Sequence, residues 1–431
     1  MSKNFSPLIN NRPISFVVKQ IRAPLIANSI FLMAGSFGSA ALTFVYWTLA
    51  ARLISPEAIG LVVAANSAII ILALLSDLGL GSGIVRYASS ESQKAVELVN
   101  SSVAVVWVVS ILLGLVFLVG IPFWSPGLQT IREQKLLGVV FVLSTAFISL
   151  LNLQVAAMLS RRRGSFAFWR YSISSLLSIP LLLIFAQITS DVPAAFLSYQ
   201  LPNLLIFAAS SALMLPQFFK GYRVFGQLNF NVTLRLTRYA GANYAATLLW
   251  QLPVYALPLI ATNLISAEAG AYFYLPWIIA ISVMSIPQLV SVSLFAEGSY
   301  NTAALFSLVK RASLFIVALV APVMLILWFL GGFILGIIGK NYINVPLLRL
   351  FLISIVPYTI NTIFFAYLRV SVRLNLLVAI SAFLSISVLG LAFTLGPLIG
   401  SPGLALGWLG GQTITSLAVL ASLAYRYFKK R

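Results

Sequence analysis

Two sets of polar side chains fall at helical spacing inside stretches that are otherwise apolar. Ser36, Ser39, Thr43 and Tyr46 stand at i, i+3, i+7 and i+10, and Tyr244, Thr247, Gln251, Tyr255 and Thr262 form a comparable single face. Asn66 and Asp77 lie in the stretch after the first set; Ser282, Ser285, Gln288 and Ser291 lie in the stretch after the second. Hydroxyl, phenol and carboxamide groups donate and accept hydrogen bonds, which suits reversible binding of a polar guest. Covalent chemistry has little to work with. The chain has no cysteine and no histidine, which removes thiolate nucleophiles, disulfides and the commonest general base and metal ligand. No cofactor or metal site is expected. Gly336 to Lys340 has the wrong glycine spacing for a phosphate loop, with Asn341 in place of the magnesium-binding Ser or Thr. Gly79, Gly81 and Gly83 follow an apolar run rather than a strand, so they mark a helix end and not a dinucleotide turn.

The elements that carry these residues are membrane spans. With 61% hydrophobic and 8% charged residues and a mean hydropathy of +1.03, a 431-residue chain cannot solvate the surface of a soluble domain. It is an all-α polytopic membrane protein. A hydrocarbon core of about 30 Å takes roughly 20 apolar residues in a helix. The sequence divides into about twelve such runs, at 28–52, 58–81, 101–124, 136–160, 166–189 and 194–216, then 239–263, 270–296, 312–338, 346–368, 374–399 and 403–425. Their continuous apolarity excludes a barrel, whose strands would alternate. The first run begins well inside the chain, lacks an Ala-x-Ala-like cleavage site and leads into another span, so it is read as a retained helix.

A duplication organises these spans. Leu53-Ile54-Ser55-Pro56-Glu57-Ala58 separates the first two, and Leu264-Ile265-Ser266-Ala267-Glu268-Ala269 separates the seventh and eighth. The expected layout is an amphipathic surface segment over 1–27, a six-span half over 28–216, a basic linker over 217–238, a second six-span half over 239–425 and a basic tail over 426–431. Pro253, Pro258, Pro276 and Pro287 interrupt spans seven and eight, as broken helices at a transport interface would, or as kinks made for packing. Ser and Thr stripes alone serve as helix glue. The Tyr, Gln and Asn residues on matching faces of spans one and seven favour a hydrated cavity between the halves. Gly332 with Gly336, and Gly403 with Gly407 and Gly411, are read as close-packing positions.

Charge fixes the orientation. All but Arg52, Arg132, Lys135, Lys340 and Arg349 of the 27 basic residues fall on alternate breaks counted from the amino terminus, so both termini are expected in the cytoplasm. The same distribution accounts for the net charge of +19 without nucleic acid. Aromatic residues interleaved with the basic linker suit anionic lipid headgroups. No outer break is long enough for an extracytoplasmic domain, which counts against a polymerase or ligase. Asp77 is the one carboxylate at membrane depth, so no ladder of acids is available for a proton relay. It either pairs with Arg86 or serves as a coupling group.

The run Ala51-Arg52-Leu53-Ile54-Ser55-Pro56-Glu57-Ala58-Ile59-Gly60, followed by Ser76-Asp77-Leu78-Gly79-Leu80-Gly81-Ser82-Gly83-Ile84-Val85-Arg86-Tyr87, resembles a known family. It is the polysaccharide-transport branch of the multidrug/oligosaccharidyl-lipid/polysaccharide exporter superfamily, the O-antigen-type flippases. The pattern is echoed at Leu264 to Tyr272. The resemblance implies two six-helix lobes around a central cavity lined by spans one, two, seven and eight and opening alternately to each side. It also implies a bacterial-type inner-membrane flippase whose substrate is a polyprenyl-(pyro)phosphate-linked oligosaccharide. Membrane lipids would be further partners, as would a polysaccharide polymerase or assembly machinery. On this reading the sugars meet Ser36, Ser39, Thr43, Tyr46, Asn66, Tyr244, Thr247, Gln251, Tyr255 and Gln288. Arg86 and Arg170 at the inner rim, with Arg238 and Arg369 as secondary candidates, take the phosphate end, unless they only set topology. Asp77 is the coupling candidate. Two departures stand out: the middles of spans one, two, seven and eight hold no Lys or Arg, and Trp250-Gln251-Leu252-Pro253 occupies the place where many relatives carry an acid. A drug or metabolite exporter of the same superfamily is the alternative, and a non-transporting membrane scaffold is the rival from another class.

Overall fold

Apolar runs of the expected length do become helices. The computed structural model describes residues 24–88, 93–224, 226, 229–300 and 302–429. Twelve long helices account for nearly all of them, and no strand is present among the described residues. The first six are α1 (Pro24–Leu53), α2 (Pro56–Ser76), α3 (Gln93–Trp124), α4 (Lys135–Ser160), α5 (Ser165–Ile188) and α6 (Asp191–Ala209). A π turn at Ser210–Met214 and a last turn at Leu215–Phe218 extend α6. The second six are α7 (Phe230–Leu264), α8 (Ala267–Tyr300), α9 (Leu305–Ile338), α10 (Val345–Val370), α11 (Leu374–Ile399) and α12 (Ser401–Lys429). Eleven of these stretches are long and apolar enough to cross a membrane among the residues searched. The protein is a multi-pass membrane protein.

Local chemistry sets several boundaries. Pro56 opens α2 at its first turn, where a missing N–H costs nothing. The span expected over 58–81 is shorter than its apolar run, because Gly79 takes a left-handed conformation with φ of 80°. The carboxylate of Asp77 accepts hydrogen bonds from the backbone N–H of Gly79 at 3.1 Å and of Gly81 at 3.2 Å. That turn starts a short helix, Leu80–Tyr87. The expected linker is also shorter, since α7 begins at Phe230. Its remaining part is tied to α3, where Asn100 donates to the Gly221 carbonyl and accepts from the Arg223 amide, both at 2.9 Å. Most of the expected surface segment, residues 1–23, lies outside the described residues, as do the last two residues of the tail.

The helices gather into two lobes of six. In the first lobe α1 lies on α5, α5 on α6, and α4 on α2, α3 and α6; in the second α11 lies on α7 and α12, and α10 on α8 and α12. Gly403, Gly407 and Gly411 set α12 against α11: a Cβ at each would collide with Leu395, Ala392 and Val388, respectively. Without a hydrophobic drive between helices in lipid, such close backbone approach is what holds them. Pro258 deprives the Val254 carbonyl of its helical partner, and the indole N–H of Trp277 on α8 reaches that carbonyl at 3.3 Å. Large apolar side chains on the rim, such as Phe329, Phe333 and Ile386, are exposed where lipid would surround them.

Contact between the lobes runs mainly through α2, which packs on both α7 and α8. It is tightest where the duplicated breaks meet. A Cβ on Gly60 would stand 2.6 Å from the carbonyl carbon of Ala267. The hydroxyl of Thr262 lies 3.3 Å from the Gly60 carbonyl oxygen. The guanidinium of Arg52 donates to the Ile337 carbonyl at 2.7 Å. We call the face carrying these junctions the break face, and the opposite one, where most Lys and Arg residues gather, the basic face. The lobes are joined at the break face.

Candidate functional site

A cavity of about 470 Å³ lies between the lobes and reaches from the middle of the helices toward the basic face. Ser39, Thr43 and Tyr46 line it from α1, and Asn66 and Asp77 from α2 and the turn that follows. Across the lobe interface Tyr244, Thr247, Gln251 and Tyr255 line it from α7. The two helical stripes therefore face one common space. Of the remaining polar wall only Arg170 was anticipated. It consists of Asn152 on α4, Arg170, Tyr171, Ser174, Ser175 and Ser178 on α5, and Tyr199 and Asn203 on α6.

That wall corrects the expectation of spans one, two, seven and eight. Helix α8 contributes nothing to this cavity because its small residues, Gly270 and Ala271, are pressed into α2 and the end of α7. Gln288 is accordingly elsewhere: it is exposed and lines a separate cavity of about 280 Å³ within the second lobe. Arg86 is exposed on the short helix, over the ring of Tyr87 at 5.8 Å, and does not line the cavity. The side chains of Ser36 and Arg238 lie outside the described residues. A signal for α5 was present in the sequence, since Arg170, Ser174 and Ser178 repeat at i, i+4 and i+8. Comparison of equivalent spans one and seven passes over it.

Several of the polar groups are already engaged. The phenol of Tyr46 donates to the Ala195 carbonyl and lies against the Ser198 hydroxyl, each at 3.0 Å, so this ring is a fixed part of the wall. It packs with Tyr199, which also lines the cavity, and with Trp47, which packs on Tyr274 of α8 behind the wall. Thr43 and Ser175 hydroxyls meet at 3.2 Å, and the Gln200 amide donates to Asn66 at 3.4 Å. Tyr244 donates across the interface to the Leu74 carbonyl at 2.8 Å. Gln251 and Tyr255 are half-buried and turn toward the cavity.

One carboxyl group, Asp77, and one guanidinium, Arg170, face this space, and their situations differ. Both oxygens of Asp77 accept from backbone amides and so build the turn after α2. Arg170 is buried at 5% exposure, donates to Asn152 at 2.9 Å and lies over the Tyr171 ring at 4.7 Å. Its Nε is buried without a protein partner. The Nη that donates to Asn152 also lies 3.5 Å from the Tyr171 hydroxyl, and no carboxylate pairs with this guanidinium among the described residues.

The profile of the family described as "Polysaccharide biosynthesis protein" matches residues 25–296. No curated protein matches the sequence significantly. Among solved structures, one described as the inward-facing conformation of a multidrug resistance MATE family transporter of the MOP superfamily is 14% identical. The match covers 93% of this chain and 99% of that one, with a TM-score of 0.68. An outward-facing conformation of a transporter described in the same words gives 0.62 at 14% identity, covering 94% and 96%. A MATE structure in complex with MaD5 gives 0.65 at 16% identity, covering 95% and 97%. These likenesses establish the transporter fold over nearly the whole chain. By its family match the chain belongs to the polysaccharide biosynthesis protein family.

Proposed function

We propose that the protein moves a polyprenyl-(pyro)phosphate-linked oligosaccharide from the cytoplasmic to the outer leaflet of a bacterial-type inner membrane, by alternating access. The observation that carries this reading is Arg170. It is a buried cation with an unpartnered Nε, at the basic-face end of a cavity otherwise lined by hydroxyls, carboxamides and phenols. A guanidinium matches phosphate oxygens in geometry and charge, and hydroxyl and amide groups match sugar hydroxyls. The prenyl chain needs neither. An apolar groove lined by Ala40, Ala41 and Phe44 of α1 and Ile278, Ile279 and Val283 of α8 runs between the lobes and suits a chain that stays in lipid. The basic face is the cytoplasmic one on the positive-inside argument. The contacts at the break face then close the outer side while the cavity reaches toward the side where the lipid-linked sugar is made.

Export of a drug or metabolite is the second reading, and the family's breadth keeps it in view. A cationic drug would call for a carboxylate available to it, whereas Asp77, the carboxylate lining this cavity, is committed to two amides. The test uses the purified full chain in proteoliposomes. A short-chain polyprenyl diphosphate-linked disaccharide should cross, and Arg170→Gln should slow it at least tenfold while inserting normally. Transport of a lipophilic cation with no movement of the sugar lipid would overturn the proposal in favour of drug export.

A further inference from the structure

The second lobe holds a cation of its own, in a cavity that the first does not include. Arg369 near the end of α10 lines the 280 Å³ space between α7, α8 and α10, together with Thr247, Gln288 and Ser291. One of its Nη atoms donates to the Thr247 hydroxyl at 3.2 Å, and its Nε is buried without a protein partner. Thr247 can accept this bond because its own hydrogen goes to the Asn243 carbonyl at 2.9 Å. The hydroxyl of Ser291, on the facing helix, is buried and likewise has no protein partner. Among the described residues no carboxylate lines this space; Gln251 and Thr362 also face it, and the rest of its wall is apolar or aromatic, with Trp250 and Phe365 in edge contact at 4.5 Å.

A guanidinium removed from water is costly unless an opposite charge or several hydrogen-bond acceptors receive it. Here one acceptor is in place. Beyond it the same space is lined by the Ser291 hydroxyl, which has no protein partner, and the exposed Gln288 carboxamide, each able to donate a hydrogen bond to a guest that the guanidinium attracts. Donors converging on a space beside a partly satisfied guanidinium select an oxyanion. Thr247 and Gln251 line both cavities, so the two spaces lie back to back across α7.

We propose that Arg369, with Ser291 and Gln288, forms a second oxyanion site of the phosphate class in the second lobe, distinct from the one at Arg170. The ligand chemistry is the same whether it comes from the diphosphate of a lipid headgroup or from free inorganic phosphate. The site is independent of the sugar and stands or falls apart from the Arg170 reading.

The experiment titrates the full-length protein in detergent with inorganic pyrophosphate and reads stoichiometry and affinity by calorimetry. Two binding events are expected for the wild type. Arg369→Gln should weaken one at least tenfold and leave the other; Arg170→Gln should do the reverse; Ser291→Ala should weaken the Arg369 event about threefold or more. If Arg369→Gln does not reach the membrane, Arg369→Lys, which keeps the charge and loses the fork, should still weaken that event. Wild-type stoichiometry and affinity in both Arg369→Lys and Ser291→Ala overturn the second site. Binding that is unchanged by Arg170→Gln and weakened by Arg369→Gln overturns the capture role of Arg170 in the proposed function and leaves this site standing. Competition with a short isoprenyl diphosphate separates the sources: displacement from the Arg369 event assigns it to the lipid headgroup, and lack of displacement to the free anion, either of which supports an oxyanion site.

Discussion

Asn263, in the last turn of α7, and Ser125, beyond the end of α3, hold each other across the lobe interface at the break face. The Asn263 amide nitrogen donates to the Ser125 hydroxyl at 2.9 Å, and the Gly127 backbone N–H donates to the Asn263 carbonyl oxygen at 3.0 Å. One side chain thus ties a whole loop of the first lobe to the second. Asn263→Ala removes these bonds only in the state closed at the break face. Losing them should weaken that state by roughly 1–3 kcal/mol, a factor of about 5 to 150 in its equilibrium with the open state. Double electron–electron resonance between labels on the two lobes at this face should show a longer-distance population that grows in the variant; an unchanged distribution removes the latch.

Steric closure can be tested at the point where the duplicated breaks meet. Gly60 lies so near Ala267 that an added Cβ has no room. Gly60→Val should therefore prop the break face apart, raising the reactivity of cysteines placed at Ala58 or Ala271, both buried. Transport should fall at least tenfold, because a cycle that cannot close one side cannot alternate. Full transport in this variant would show that the closed contact is not visited during the cycle.

The absence of cysteine makes the cavity open to direct mapping. Cysteines introduced singly at Thr43, Ser175 and Gln251 should react with a small hydrophilic thiol reagent added from the basic face. Tyr46→Cys should react more slowly, since that position is 1% exposed and its phenol is bonded to α6. Uniform inertness at the first three, beside reactive loop controls, would mean that the space is not hydrated.

Much of the architecture could be read from the chain because it depends on apolarity and length. The twelve runs, the duplication at Leu53 and Leu264 and the shared face of the α1 and α7 stripes all rest on one-dimensional patterns. The α5 wall was legible only in part. Arg170 stood out as a rim residue, but nothing in its spacing says that Asn152 and Tyr171 would hold it inside the cavity. Arg86 illustrates the opposite limit. It sits next to the most recognisable pattern in the chain, yet the left-handed turn at Gly79 carries it onto an exposed short helix. Position relative to a turn decides such cases, and a turn's direction is a three-dimensional fact. Gln288 was misplaced for a related reason: its stripe matches a transport helix, but small residues elsewhere on α8 decide which face meets α2.

The last prediction concerns what drives transport. A proton-coupled cycle needs a carboxylate that is free to exchange its proton as the cavity changes sides. Asp77 faces the cavity, but both of its oxygens hold the turn that begins the short helix. Its substitution by Asn should loosen that turn, since one acceptor becomes a donor, without abolishing a pH response. A phosphate-linked substrate offers another source of bias. An anion moving outward leaves the negative side, gaining about 2.3 kcal/mol per charge per 100 mV if it crosses the whole field. With the basic face made negative by a potassium diffusion potential, proteoliposomes should transport a phosphate-linked sugar lipid faster, and Asp77→Asn should keep that acceleration at a lower basal rate. Equal rates with and without potential would point to downhill movement drawn by consumption in the outer leaflet. A rate that ignores potential, follows an imposed pH step and loses that response in Asp77→Asn would instead make Asp77 the coupling group and overturn its assignment to the turn.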